Sequence, residues 1–343
     1  MSDITVASGG VTRRGRPGAE AAEAARQPWD ARRVLQLALA AVWLLDALLQ
    51  YQSFMFTKGF GQMLAGTASG NPGVVASPIT WDARLVEQHT VLLNTIFATI
   101  QLLLALGIAW RPTVRVALAA SIAWSLGVWW FGEGLGGVLS GSASPVNGAP
   151  GAVIIYALLA VLLWPSDRHA ATAPFTAARA VGAPAARALW LVLWGSLAYF
   201  ALLPGNRTAQ GLSGMVSGMA SGEPRWLAAL DNHAASLLAH QGLAASIVLA
   251  IALAVIAVGV YLPPPAARAT VVLAIVVAAL IWIFGEAFGA ILAGGATDPN
   301  SGLLLILLAL AYWPARTVPA PAAQPAVAVQ PASRQAGEEG ATP

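Results

Sequence analysis

The chain reads Phe131-Gly132-Glu133, with Gly136 after it, at the end of one long apolar run, and Phe284-Gly285-Glu286, with Gly289 after it, at the end of another. Self-similarity at such a long, fixed interval indicates a duplicated structural unit. Other matched pairs keep nearly the same interval: Ala68–Pro72 with Ala220–Pro224, His89 with His240, Arg115 with Arg268, and Trp164-Pro165 with Trp313-Pro314. The sequence therefore predicts two similar halves.

The composition indicates an integral membrane protein. Of the 343 residues, 57% are hydrophobic and only 10% are charged, and the mean hydropathy is +0.69. A water-soluble domain of this size could not bury so many apolar side chains, so the lipid bilayer is the first expected partner. Cysteine is absent, which excludes disulfides, thiolate catalysis and cysteine-bound metal clusters. The basic residues are scattered over loops, which argues against a nucleic-acid partner.

Eight apolar runs are long enough, or nearly so, to cross a bilayer core of about 30 Å as helices. They lie at 33–53, 89–110, 114–139, 150–165, 187–204, 240–262, 268–293 and 301–314. Because each half has four runs, both halves enter the membrane in the same direction. The predicted fold is an all-α polytopic membrane protein with eight transmembrane helices in two parallel four-helix repeats. The predicted segments are a cytoplasmic N-terminal segment at 1–32, the first repeat at 33–165, a cytoplasmic linker at 166–186, the second repeat at 187–314 and a disordered cytoplasmic tail at 315–343.

The distribution of basic residues predicts the orientation. If the N-terminus is cytoplasmic, fourteen of the eighteen lysines and arginines face the cytoplasm. Only Lys58, Arg84, Arg207 and Arg225 face outward. This bias follows the positive-inside rule, so both termini are predicted to be cytoplasmic. The excess of arginine over lysine is typical of a GC-rich bacterial genome, and the predicted location is the bacterial plasma membrane.

A few polar side chains within or beside the apolar runs need an explanation. A carboxylate at membrane depth costs about 2.5 to 3.5 kcal/mol on insertion scales, so Asp46 should face the protein interior and find partners there. Asn94 and Gln101, on one face of the second helix, are the expected partners. His89 and Glu133 reach similar depths on neighbouring helices and are expected to meet, as are His240 and Glu286 in the second half.

These residues predict a polar pocket that opens outward from the first half. Its members are Asp46, Gln50, His89, Asn94, Gln101 and Glu133, with His240 and Glu286 as counterparts of two of them. A buried structural network is the competing interpretation, because hydrogen bonds between membrane helices suffice to explain some of these residues. The aligned positions of the second half are largely apolar, so any chemistry is expected in the first. No metal site is predicted, and catalytic and cofactor-binding residues stay unassigned.

The second helix ends with Leu106-Gly107-Ile108-Ala109-Trp110-Arg111-Pro112, and an extended outer segment separates the first helix from the second. With four helices per half, these features resemble the DoxX-like membrane proteins over residues 33–165 and 187–314. The resemblance implies a four-helix bundle and an association with quinone-linked redox partners in the membrane. It transfers no site residue.

Three functions compete at this level. The leading prediction is a multi-pass plasma-membrane protein of unassigned activity that acts as a scaffold or accessory subunit and is not expected to be an enzyme. The second is a quinone-linked redox subunit in which a quinone head lies near His89 and Glu133 and a membrane redox partner supplies electrons. The third is a proton-linked or metal-ion transporter that uses Asp46, His89 and Glu133.

Overall fold

The computed structural model describes residues 30–315. The predicted cytoplasmic segment at 1–32 and the predicted tail at 315–343 therefore lie, except for residues 30–32 and 315, outside the described residues. Twelve longer helices follow one another within this range: α1 (Ala31–Leu49), α2 (Lys58–Gly66), α3 (Gly73–Gln88), α4 (Thr90–Ala109), α5 (Val114–Phe131), α6 (Ala152–Leu162), α7 (Ala183–Ala201), α8 (Gly211–Met219), α9 (Arg225–Leu238), α10 (Gly242–Gly259), α11 (Pro264–Leu280) and α12 (Asn300–Ala311). Residues 30–315 contain no β-strand, and their one β-type pairing is the isolated bridge between Phe175 and Pro314.

The all-α class is confirmed, and four helices are long and apolar enough to cross a membrane. They span Thr90–Ala109, Val114–Phe131, Gly242–Gly259 and Pro264–Gly285. Two further apolar helices, Ala152–Leu162 and Asn300–Ala311, are shorter. With 11 and 12 residues, they extend about 17 and 18 Å, which is less than the bilayer core.

The predicted third and seventh runs end as helices earlier than expected. Helix α5 ends at Phe131, and the helical chain after α11 ends at Gly285, beyond a short π-helical turn. In both places the chain then passes through a series of residues with positive φ angles. Leu135 and Gly136 have φ angles of 57° and 62°, and Phe288 and Gly289 have φ angles of 57° and 80°. Left-handed backbone cannot continue a right-handed helix, so the apolar sequence there forms a turn.

Four helices of each half pack in the same order, and the last of the four, α6 or α12, is the short one. In the first half α1 packs along α4, α4 along α5 and α5 along α6; in the second half α7, α10, α11 and α12 repeat this order. A hairpin of two helices, α2 with α3 or α8 with α9, connects the first two long helices of each half. The halves meet where α12 packs against α6 and α1. One continuous core, which includes the fully buried Trp43, Tyr156 and Trp190, runs through both halves.

The loop before α6 and the loop before α12 each reach into the other half. The Gln52 side-chain amide donates a hydrogen bond to the Ala296 carbonyl oxygen at 3.1 Å. In the reciprocal contact the Asn206 amide donates to the Ala143 carbonyl oxygen at 3.1 Å. Val146, from the same loop as Ala143, packs among buried side chains of α8 and α9. These exchanged loops bring side chains of one half into the interior of the other.

Candidate functional site

In each half the repeated Phe-Gly-Glu stretch forms hydrogen bonds with the start of the last helix, which is α6 or α12. In the first half the Trp129 indole donates to the Pro150 carbonyl oxygen at 2.6 Å, and Glu133 accepts a hydrogen bond from the Val153 amide at 3.2 Å. The first amides of a helix have no partner within the helix, and a carboxylate there also suits the helix dipole. Glu133 therefore helps to cap α6.

The second half repeats this arrangement with more complete bonding. The Trp282 indole donates to the Pro299 carbonyl oxygen at 2.8 Å. Glu286 accepts hydrogen bonds from the Ser301 hydroxyl and, at 2.9 Å, from the Gly302 amide. Its carboxylate is fully buried, with a relative exposure of 0%. The copied motif thus serves a structural purpose in both halves.

The expected contacts between histidine and glutamate are not formed. His89 and His240 are both exposed, at the junctions where a hairpin helix gives way to the next long helix. Neither histidine forms a hydrogen bond or an ion pair with Glu133 or Glu286, whose partners come from the helix that follows. Amide donors at a helix start stabilise these carboxylates, so an imidazole is not required.

Asp46 is buried as expected, with a relative exposure of 1%, but its partner is different from the predicted ones. The Tyr156 hydroxyl donates to its Oδ2 atom at 2.5 Å. The Asn94 amide donates instead to the Gln50 carbonyl oxygen at 2.7 Å. The Tyr156 ring packs on Trp43 at a centroid distance of 4.3 Å, which fixes the hydroxyl in position. A tyrosine in an apolar run needs a partner for its hydroxyl, and that signal could have identified the pair.

Four of the six predicted pocket residues line one cavity of about 290 Å³: Asp46, Gln50, Gln101 and Glu133. The remaining wall is largely aromatic and includes Trp43, Phe60, Phe97, Trp124 and Phe131. Asn94 is buried behind Gln50 and is not part of the wall, and neither is the exposed His89. The cavity lies between the C-terminal parts of α1 and α5 and the middle of α4, and the hairpin of α2 and α3 forms another side.

The cavity also contains two carboxylates that sequence reasoning missed. Asp82 comes from α3, and Asp298 comes from the loop before α12 in the second half. The Thr297 hydroxyl and the Asn300 amide donate to Asp298 at 2.9 and 2.7 Å. Nothing in the sequence indicates that this loop crosses into the other half. Among the described residues that line the cavity, none is lysine, arginine or histidine.

Several polar atoms on the cavity wall have no hydrogen-bond partner in the protein. They are Asp46 Oδ1, Gln50 Oε1, Gln101 Oε1, Glu133 Oε2 and Trp124 Nε1. Gln50 and Gln101 are only 3% and 8% exposed, so bulk solvent does not compensate them fully. A buried polar group without a partner costs about 1 to 3 kcal/mol, and native proteins rarely leave several in one place. A polar molecule in the cavity is one way in which these groups could gain partners.

The second half has no equivalent polar wall. Between α7 and α10, where the first half has Asp46 and Gln50, the corresponding groove is apolar and is lined by Ala198, Leu202 and Ala250. Within residues 30–315, no group of three histidine, aspartate or glutamate side chains is close enough to hold a metal ion. The carboxylates are thus spread around the cavity instead of converging on one point.

Comparison of the chain with protein-family models, with curated proteins and with solved structures found no match.

Proposed function

We propose that this chain is a multi-pass plasma-membrane protein that crosses the bilayer eight times as two parallel four-helix repeats. The four long apolar helices support the membrane location. The matched packing order and the reciprocal contacts of Gln52 and Asn206 support the repeat. The short helices α6 and α12 complete their spans with the buried loops that precede them, because Ser144 and Ala296 within those loops are shielded from solvent.

The arginines at one end of the bundle support a cytoplasmic location for that end. Arg32 donates to the carbonyl oxygens of Trp164 and Ser166, just beyond α6, and Arg33 donates to the Ile108 carbonyl oxygen at the end of α4. Cations at helix C-termini are favourable, and arginine-rich helix ends face the cytoplasm in bacterial membrane proteins. Both termini of the chain are then cytoplasmic.

Single cysteines test this topology, since the natural chain contains none. Ser69→Cys and Ser221→Cys lie at exposed, matched positions of the two hairpins, and Ala171→Cys lies in the exposed linker between the halves. A membrane-impermeant maleimide added to intact cells should label the two hairpin cysteines and should label Ala171→Cys only after permeabilisation. Labelling of Ser69→Cys and Ser221→Cys from opposite sides would refute parallel repeats.

The function that the geometry supports best is the binding of a small polar molecule in the cavity of the first half. The five unpartnered polar atoms of residues that line the cavity carry this proposal. The second half, which is apolar at the corresponding positions, then acts as a scaffold for the first. The chain then has the scaffold or accessory role that the sequence predicts, and it also binds a ligand. The redox and transport roles both depend on His89, which lies outside the cavity. These two roles and the resemblance to DoxX-like proteins stay predictions.

Filling the cavity tests whether it holds a ligand. Gly127 lines the cavity on α5, and a Cβ atom built there meets no atom within 4 Å. Gly127→Leu should therefore fold and occupy the cavity, while Gly195→Leu, at an equally open position on α7, is the matched control. Extraction of the purified proteins followed by mass spectrometry should recover a small molecule from the wild type and from Gly195→Leu but not from Gly127→Leu. Equal recovery from all three, or from none, would contradict the proposal.

A further inference from the structure

We propose that the ligand of this cavity is an organic amine: a protonated nitrogen joined to a compact apolar or aromatic body. This inference rests on the proposed function and specifies its ligand class. It follows from the kinds of polar atoms in the wall, from their arrangement and from the side chains that surround them.

Five buried atoms of the lining residues have no hydrogen-bond partner among residues 30–315. Four are oxygens, those of Asp46, Gln50, Gln101 and Glu133, and the fifth is the Trp124 indole nitrogen. The carboxamides of Gln50 and Gln101 also carry N–H donors, so the wall has donors as well as an excess of unpaired oxygens. A ligand that satisfies them must donate several hydrogen bonds. An ammonium group carries up to three donors and no acceptor, which matches this excess of oxygens. An oxidised quinone offers only acceptors and would leave these oxygens unpaired.

The charge of the wall favours a cation. Four carboxyl groups, those of Asp46, Asp82, Glu133 and Asp298, line the cavity, and no basic side chain of residues 30–315 does. Removing carboxylates from water without a positive partner is expensive, and a buried cation offsets that cost. An anionic ligand such as a phosphate would add to the repulsion, so this class is excluded on charge.

The spacing of the carboxylates argues for an organic cation and against a bare metal ion. A metal ion in a protein needs several ligand atoms converging at about 2 to 2.6 Å. Within the part of the chain that the structure describes, no three acidic or histidine side chains approach each other closely enough. Carboxylates distributed over a wall suit a larger ligand that touches them at different points.

The apolar side chains of the wall indicate that the ligand also has an apolar or aromatic body. Phe97 lies between Phe60 and Trp124, with ring centroids 6.5 and 5.7 Å away, and forms a continuous aromatic surface. Aromatic faces attract cations by about 0.5 to 2 kcal/mol and also bury apolar groups. At about 290 Å³ the cavity is at the lower end of the volumes known for ligand sites, so the amine is small.

Asp298 connects the binding site to the second half. This side chain belongs to the second half but reaches the cavity of the first, where Thr297 and Asn300 hold it. A cation in the cavity therefore bridges the two halves electrostatically. Neutralising Asp298 should weaken binding although the residue lies outside the half that forms most of the site.

The test uses the full chain in lipid nanodiscs and three probes of similar size: 2-phenylethylamine, the neutral 2-phenylethanol and the anionic 3-phenylpropanoate. Binding is followed by titration calorimetry and by quenching of tryptophan fluorescence, since Trp43 and Trp124 line the cavity. The amine should bind at least about tenfold more tightly than the alcohol, which corresponds to about 1.4 kcal/mol, and the anion should not bind.

Two carboxyl variants and one control complete the experiment. Asp46→Asn and Asp298→Asn should each weaken amine binding by about tenfold and weaken alcohol binding much less, as expected for the loss of one close charge pair. Asp231→Asn removes another buried carboxylate, on α9 and away from the cavity, and should bind the amine like the wild type. If Asp46→Asn does not fold, Asp298→Asn and the comparison of amine with alcohol still decide the question.

The outcomes separate the two proposals. If the amine and the alcohol bind equally, or if Asp46→Asn and Asp298→Asn bind the amine like the wild type, the amine inference is wrong. If the amine does not bind at all, the inference is also wrong. In each of these cases a small molecule recovered from the wild type and lost in Gly127→Leu would still uphold the proposed function.

Discussion

Replacing the two copied glutamates by glutamine tests the structural description of the repeat. Glu286 accepts two hydrogen bonds, from Ser301 and Gly302, and is fully buried. Glu133 accepts one, from Val153, and its second oxygen has no protein partner. A glutamine side chain keeps one acceptor oxygen, which can preserve the single bond of Glu133. At Glu286 that oxygen can keep the Gly302 bond, and the Ser301 hydroxyl must turn round to accept from the new amide, so both bonds are altered.

The expected magnitudes follow from these bonds. At Glu286 two bonds to the carboxylate are replaced by bonds to a neutral amide, at a cost of about 1 kcal/mol each, so Glu286→Gln should destabilise the protein by about 2 kcal/mol. At Glu133 only one bond is replaced, so Glu133→Gln should cost about 1 kcal/mol.

The assay is equilibrium unfolding in mixed micelles, with increasing mole fractions of a denaturing detergent and far-ultraviolet circular dichroism as the readout. The difference in unfolding free energy between the two variants should be about 1 kcal/mol, with Glu286→Gln the less stable. Equal costs, or a larger cost for Glu133→Gln, would refute the bonding described for the two helix starts.

Three further predictions concern single sites. Gly136→Ala should destabilise by more than about 2 kcal/mol, because the residue has a positive φ angle and its Cβ atom would overlap the Pro150 carbonyl, whereas Gly127→Ala should be neutral or slightly stabilising in the same unfolding assay. Tyr156→Phe should cost about 1 to 3 kcal/mol, since Asp46 loses its only protein donor, and a lowered thermal midpoint would show this. The hydrogen bonds and charges of Arg32 and Arg179 lower the pKa of Asp167, so its stabilising contribution is present above the usual pKa of an aspartate and is lost as the pH falls through the lowered pKa. Because Asp167 is exposed, that contribution is below about 1 kcal/mol, and the difference in midpoint between the wild type and Asp167→Asn should disappear in acid.

Local sequence patterns predicted much of the fold. Each of the eight predicted runs overlaps one of the longer helices of the structure, because a long apolar run is helical wherever its backbone groups must bond within the segment. The helix ends were less predictable. The turn after Glu133 and its copy after Glu286 carry apolar residues such as Leu135 and Phe288 in left-handed conformations, which hydropathy does not reveal.

The candidate site was predicted in part for the same reason. Asp46 and Glu133 attract attention in a sequence because charged groups in apolar runs are costly. The expected pairing of His89 with Glu133 was wrong because residue spacing gives only a position along a helix, whereas the direction of a side chain depends on packing. Asp82 attracted no attention because it lies in an amphipathic hairpin, where a charged residue is ordinary.

By itself, the sequence determined that this protein is helical and apolar, since these properties depend on composition and periodicity. Only the tertiary structure decided that Tyr156 meets Asp46 and that Asp298 crosses from the second half into the cavity of the first. Contacts between residues so far apart in the chain depend on how the helices pack against one another, and no local pattern of residues encodes that arrangement.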